Sequence, residues 1–155
     1  MPRSYKKVTI EDARIMFKNF AGSQTKFNPA GARNFCVVIP EEHEEGIRAL
    51  GYNVRHTQPR EEGDDSVAYL KVNVSYRFDP PHIEAIVGGR KRQVLGEEDI
   101  SMLDWADISF VDLSFTGSDW EVRGDTGTSA YLDSLYAHIE EDELQSKYAD
   151  IPYGD

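Results

Sequence analysis

Cations set beside flat rings are the pattern in this chain with the most chemical content. A phosphodiester backbone calls for Lys or Arg, and unpaired bases call for aromatic faces on which to stack, at roughly 1–3 kcal/mol per base whatever the sequence. Such groupings occur at Lys18, at Lys26 and Phe27 with Arg33 close behind, at Tyr69 with Lys71, and at Arg90-Lys91-Arg92 beside Gly88-Gly89. Trp120 joins them, because an indole in a polar stretch is unusual without a ligand or partner to cover it. Each has a plainer reading. Lys26 and Arg90-Lys91-Arg92 also fit solvated turn charges, Tyr69 also fits a core, and Phe27 also fits a ring that pins its own loop. Trp105, between Leu103 and Ala106, reads as core.

Bond-breaking chemistry is poorly represented. His43, His56, His82 and His138 are scattered without metal-site spacing, and neither a glycine-rich phosphate loop nor a nucleophile elbow occurs. Asp104, Asp107 and Asp112 fall close together, as a two-metal nuclease would want. Asp107 and Asp112 are an odd number of residues apart, however, so along one strand they face opposite sides. The single cysteine, Cys36, excludes an internal disulfide, and within Phe35-Cys36-Val37-Val38-Ile39 it reads as a packed strand thiol. No catalysis, metal or cofactor is expected.

Charge is unevenly shared. The net −11 divides into +5 over 1–39, −5 over 40–70, +3 over 71–95, −9 over 96–139 and −5 over 140–155. Two locally basic stretches interleaved with aromatics therefore sit in an acidic chain that ends on Glu140-Glu141-Asp142-Glu143 and Asp150-Ile151-Pro152-Tyr153-Gly154-Asp155. An acidic tail beside a basic, aromatic groove is the charge plan of a binder of unpaired nucleic acid. A tail that merely solubilises is the plainer alternative.

The elements that must position these residues are mostly strands. Alternation predicts strands over 13–20, 33–39, 52–57 and 67–76. In the last, Leu70, Val72 and Val74 face one side, with Tyr69, Lys71 and Asn73 on the other. A short helix is predicted over 41–50, acidic at its front and ended by Gly51. Residues 83–87 and 92–95 flank a Gly88-Gly89 turn, 96–103 reads as a brief helix, and 59–65 as an acidic loop. The last strands, 106–115 and 128–140, are read as joined by a glycine-punctuated loop over 117–127 that holds Trp120. A helical turn over 141–148 leads into the tail. The length of 155 residues suits one domain, here 1–140, followed by a tail, 141–155. Short strands in a small chain predict a mainly β barrel or sandwich with one or two short helices. With no basic-then-apolar leader and no apolar run long enough to span a bilayer, the expectation is a cytoplasmic protein without membrane contact.

Several segments carry a family resemblance. They are Phe17-Lys18-Asn19-Phe20, Lys26-Phe27-Asn28-Pro29-Ala30-Gly31, Arg33–Ile39, Leu103-Asp104-Trp105-Ala106-Asp107-Ile108, Trp120-Glu121-Val122, and Gly127-Thr128-Ser129-Ala130-Tyr131-Leu132. In this order, over nearly the whole chain, they resemble tailed-phage single-stranded-DNA-binding proteins. The resemblance implies an OB-like barrel of five or more strands and a sheet groove for single-stranded DNA. It also implies an acidic C-terminal tail that docks replication or recombination proteins. The tail is similar to the acidic tips of cellular single-strand-binding proteins, which close on Asp-Ile-Pro and a terminal phenylalanine. Here Asp150-Ile151-Pro152-Tyr153 is followed by two further residues, which displaces the terminal carboxylate from the ring and favours phage-encoded partners over host ones.

The combined expectation is a non-catalytic, sequence-tolerant coat for single-stranded DNA in phage replication or recombination. Edge strands leave homo-oligomers open. The rival is an acidic DNA mimic, in which the −9 segment would imitate spaced phosphates and occupy a partner's nucleic-acid groove.

Overall fold

The computed structural model describes residues 6–26, 28–58, 63, 66–77 and 79–140. Nine strands form one sheet: β1 (Val8–Ala13), β2 (Ile15–Asn19), β3 (Arg33–Val38), β4 (Arg55–His56), β5 (Ala68–Val74), β6 (His82–Val87), β7 (Lys91–Val94), β8 (Ile108–Val122) and β9 (Asp125–Ile139). One helix, α1 (Glu41–Ala49), follows β3, and a 3-10 turn (Ile100–Asp104) precedes β8.

The main path runs β1-β8-β9-β5-β3-β2. Its two ends, β1 and β2, are separated in sequence only by Arg14, whose carbonyl accepts the Val38 N–H at 2.8 Å. One bent ribbon therefore pairs with β8 through its first half and with β3 through its second, which closes the sheet into a barrel. Five ribbons make the wall: β1/β2, β3, β5, β9 and β8. The bend is made by two register slips, one between Ile10 and Ala13 and one between Met16 and Asn19. Asp12 and Phe17 take positive φ at these slips, the local cost of turning a strand sharply. The closing seam is short: β5 and β9 run parallel and pair only at Val72↔Ala130 and Asn73↔Tyr131. The Asn73 side chain reinforces it by donating to the Ala130 carbonyl at 3.2 Å. This OB-like barrel is the fold class the sequence predicts.

Alternation fills the interior. Phe35 and Val37 of β3, Leu70, Val72 and Val74 of β5, and Val111 and Leu113 of β8 are all buried. Phe20 stacks on Phe35 with centroids 5.2 Å apart. Cys36 is buried on the other side of β3, and that burial pushes its thiol up despite nearby Lys71 and Arg55. α1 forms where predicted, with Glu41, Glu42 and Glu44 in its first turn, Arg48 in its last, and Ile47 as its buried anchor.

Three predicted elements and one predicted core residue are corrected. The strand over 13–20 is the second half of the longer bent ribbon. The strand over 52–57 contracts to Arg55–His56, although Tyr52 makes an isolated bridge to Thr128. The loop over 117–127 is instead the body of a long hairpin, turned by Arg123-Gly124 alone, with both φ positive as a two-residue hairpin turn demands. Trp105 is not core: it is 89 % exposed. Ile100 and Leu103 fall three apart, on one face of the 3-10 turn, and both are buried, whereas Trp105 lies off that face. The predicted turn over 141–148 and most of the 59–65 loop lie outside the described residues.

Candidate nucleic-acid interface

The outer wall of β5 presents Tyr69, Lys71 and Asn73, because Leu70, Val72 and Val74 take the inner side. Register partners share a face, so Arg55 of β4 stands beside Tyr69, and Tyr131 of β9 stands beside Asn73. Phe17 comes from β2. Its left-handed backbone (φ 52) lets the ring lie against Tyr69, edge to face, with centroids 5.8 Å apart, while leaving it 64 % exposed. Along β9, Gly127, Ser129 and Tyr131 share one face by alternation, and Trp120 is the cross-strand partner of Gly127. A Cβ on Gly127 would come within 2.5 Å of the Trp120 ring, so the indole lies directly over that glycine. Phe17, Tyr69, Tyr131 and Trp120 thus line one outer face, with Lys71 and Arg55 among them.

Beside Asn73 and Tyr131 this face deepens into a recess of about 450 Å3, lined also by Arg33, Ser75, Tyr76, Arg77 and Glu97. Arg33 lies with its guanidinium carbon 5.5 Å from the centre of the Tyr76 ring, and its Nη1 pairs with Glu97 at 3.2 Å. Burial raises the Tyr76 phenol above its ordinary range, against the nearby Arg33 charge.

The residues singled out in the sequence divide into groups. Tyr69, Lys71 and Trp120 come together on the outer face, with Trp120 on a strand rather than in a loop. Arg33 stands at the recess. Lys26 is exposed in the loop between β2 and β3, beside the small Thr25↔Asn28 bridge. Lys18 points elsewhere, donating to the Leu103 and Ala106 carbonyls at 2.8 and 3.2 Å, and so ties β2 to the 3-10 turn. Arg92 donates to buried Glu84 from Nε and Nη2, both at 3.0 Å, and His82 meets the same carboxylate at 2.7 Å. The His82 hydrogen bond, helped by Arg92, holds Glu84 below the usual carboxylate range against its desolvation. Arg90 and Lys91 are exposed at the β6–β7 turn, where Gly88 N–H donates to the Ile139 carbonyl. Ile139 lies eight residues past Tyr131 along β9, about 26 Å at a strand's rise. That turn is therefore remote from the aromatic face. Phe27 and the tail residues Asp150, Ile151, Pro152 and Tyr153 lie outside the described residues.

Phe17, Arg55 and Tyr131 were not singled out in the sequence. Tyr131 was within reach, since the alternation of Ala130 and Leu132 around it is regular. Phe17 was not, because a backbone slip sets its direction.

Two of the clustered aspartates, Asp104 and Asp112, serve separate structural ends. Asp104 accepts the Phe20 and Ala21 N–H groups at 2.8 and 3.0 Å, and Asp112 accepts the Asp12 N–H at 2.9 Å and approaches His138 at 3.4 Å. Among the described residues no group of three or more His, Cys, Asp or Glu is placed to hold a metal ion, and no helix is long and apolar enough to cross a membrane.

Comparison with known proteins bears on the fold and the family. No curated protein sequence matches the chain. Among solved structures, the single-stranded DNA-binding protein from bacteriophage Enc34, in a C-terminally truncated form, superposes with a TM-score of 0.57 at 8% identity, covering 88% of each chain. The same phage protein without that truncation gives a TM-score of 0.55 at 9% identity, covering 94% of this chain and 89% of the other. At such identity the likeness establishes the fold. The family model described as "Putative phage ssDNA-binding domain" matches residues 2–155, and the chain belongs to that phage ssDNA-binding family.

Proposed function

We propose that this protein coats single-stranded DNA without regard to sequence during phage replication or recombination, in the host cytoplasm and without catalysis. The observation that carries the reading is the outer face of β5 and β9, where Tyr69, Lys71 and Tyr131 stand with Phe17 of β2, Arg55 of β4 and Trp120 of β8 beside them. Rings of this kind stack any base, and the cations meet phosphates. Family membership supports the same ligand. Residues 1–140 form the binding domain in this reading. The tail over 141–155 recruits replication or recombination proteins through Asp150, Ile151, Pro152 and Tyr153, and competes with DNA for the basic face when no strand is bound.

Fluorescence anisotropy of a labelled oligo-dT of about thirty nucleotides, roughly twice the largest single-barrel site, tests the proposal when it is titrated at several salt concentrations beside the matching duplex. The expected result is tight binding of the single strand, weak binding of the duplex, and affinity that falls steeply with salt. Flat curves for both at low salt would overturn it and turn attention to the acidic-mimic reading.

A further inference from the structure

Beside Tyr131 the aromatic face gives onto a recess. At about 450 Å3 it falls within the roughly 300–1,000 Å3 range of small-ligand sites. Its lining is that of a nucleotide site: Tyr76 and Tyr131 offer rings, Arg33 and Arg77 offer charge, and Asn73 and Ser75 offer hydrogen bonds. It opens onto the aromatic face, since Asn73 and Tyr131 belong to both.

Two of its atoms call for an account. Arg33 Nε and the Tyr76 hydroxyl are buried without a hydrogen-bond partner among the described residues, although nearly all buried polar groups in folded proteins have one. The same guanidinium holds Glu97 through Nη1 at 3.2 Å, and that carboxylate is half-exposed. A carboxylate on an arginine beside a single-strand face occupies the place a phosphate would take. A phosphate forked across Nε and Nη2 would give the unpartnered Nε its acceptor, and its two parallel charge-assisted bonds, with the charge they bring beside Glu97, outcompete the single bond at Nη1.

We infer that this recess is a subsite for one nucleotide drawn out of the strand, whose phosphate displaces Glu97 from Arg33 while its base lies against Tyr131 and Tyr76. The inference rests on the single-strand reading of the adjoining face. Glu97 is then a resident competitor that keeps Arg33 occupied until DNA arrives. The subsite would give one nucleotide per protein an environment unlike that of its stacked neighbours.

The test is amide NMR on the full chain, titrated separately with thymidine 5′-monophosphate, inorganic phosphate and thymidine, with oligo-dT binding measured in parallel. The monophosphate should shift the amides of Gly31, Ala32, Ser75 and Arg77, and bind more tightly than phosphate or thymidine alone. Glu97→Gln, a surface change of nearly equal shape, should tighten monophosphate binding roughly two- to fivefold, as expected from releasing one partly exposed ion pair. Three results each overturn the inference while leaving the interface reading intact if oligo-dT still binds. They are no shift at the recess, equal binding of inorganic phosphate, and unchanged affinity in Glu97→Gln. Failure of oligo-dT to bind at all would remove the interface reading and the subsite together.

Discussion

Tyr69 and Phe17 meet edge to face, so a base stacked on either ring is steadied by the other. Tyr69→Ala should cost about 1–3 kcal/mol of oligo-dT affinity with the melting temperature little changed, measured by anisotropy beside a thermal scan. A loss of a few tenths or less would take Tyr69 out of the site. Its direction was legible because β5 alternates without interruption, and the same alternation placed Lys71. Phe17 was illegible for the opposite reason: a positive φ rotates it out of the strand's period. Arg92 pairs with buried Glu84 eight residues back across the β6–β7 hairpin, a contact set by strand register rather than by residue type. Glu84 also sets a pH dependence. Its carboxyl is depressed in the fold, so its stabilising contribution is present above the unfolded value near ~4.3 and is lost as pH falls through the folded one. The wild-type advantage in melting temperature over Glu84→Gln should be full at neutral pH and shrink on acidification below the ordinary carboxylate range. A constant difference from neutral to acid would contradict this.

At the scale of elements, the β8–β9 hairpin carries Trp120, and the 3-10 turn that precedes β8 is tied to β2. The sequence reads as a loop over 117–127 because Gly117, Gly124 and Gly127 punctuate it. Pairing of fourteen residues across the two strands overrides that preference. Gly127 persists in the hairpin because Trp120 covers it. Gly127→Ala should therefore destabilise the protein by about 1–3 kcal/mol, the usual penalty for overfilling a packed position, and should shift Trp120 fluorescence; denaturant titration reads the first and emission the second. The 3-10 turn is locked to the barrel by Asp104, which accepts two backbone N–H groups at the end of β2. Asp104→Ala leaves both donors without that acceptor and should cost about 1–3 kcal/mol per group that water does not reach, with faster amide exchange at Phe20 and Ala21. Exchange equal to wild type would show that the clip is not needed. The helix over 41–50 and the Gly88-Gly89 turn were legible, since charge polarity and paired glycines are local signals.

Over the whole molecule, one bent ribbon closes the barrel, and closure turns an ordinary alternating sheet into an inside and an outside. The mainly β class and most of the strands were legible in the sequence, whereas β1 was not. The closure was not, because it depends on which strands meet, and the meeting strands are far apart along the chain. Charge is likewise arranged globally: a net −11 chain places Lys71 and Arg55 together on one aromatic face, while Arg90 and Lys91 stand at the β6–β7 turn, beside the far end of β9. Deleting 141–155 should raise oligo-dT affinity, most at low salt where charges are least screened; equal affinity at low salt would remove the tail from the competition. The most direct measurement is the salt dependence of oligo-dT binding for wild type, Lys71→Ala and Arg90→Ala. Each lost phosphate contact on a single strand lowers the slope of log affinity against log salt by about 0.7. Lys71→Ala should lose about that amount and Arg90→Ala nothing. Equal slopes for wild type and Lys71→Ala, or a loss confined to Arg90→Ala, would contradict the placement of DNA on the β5–β9 face.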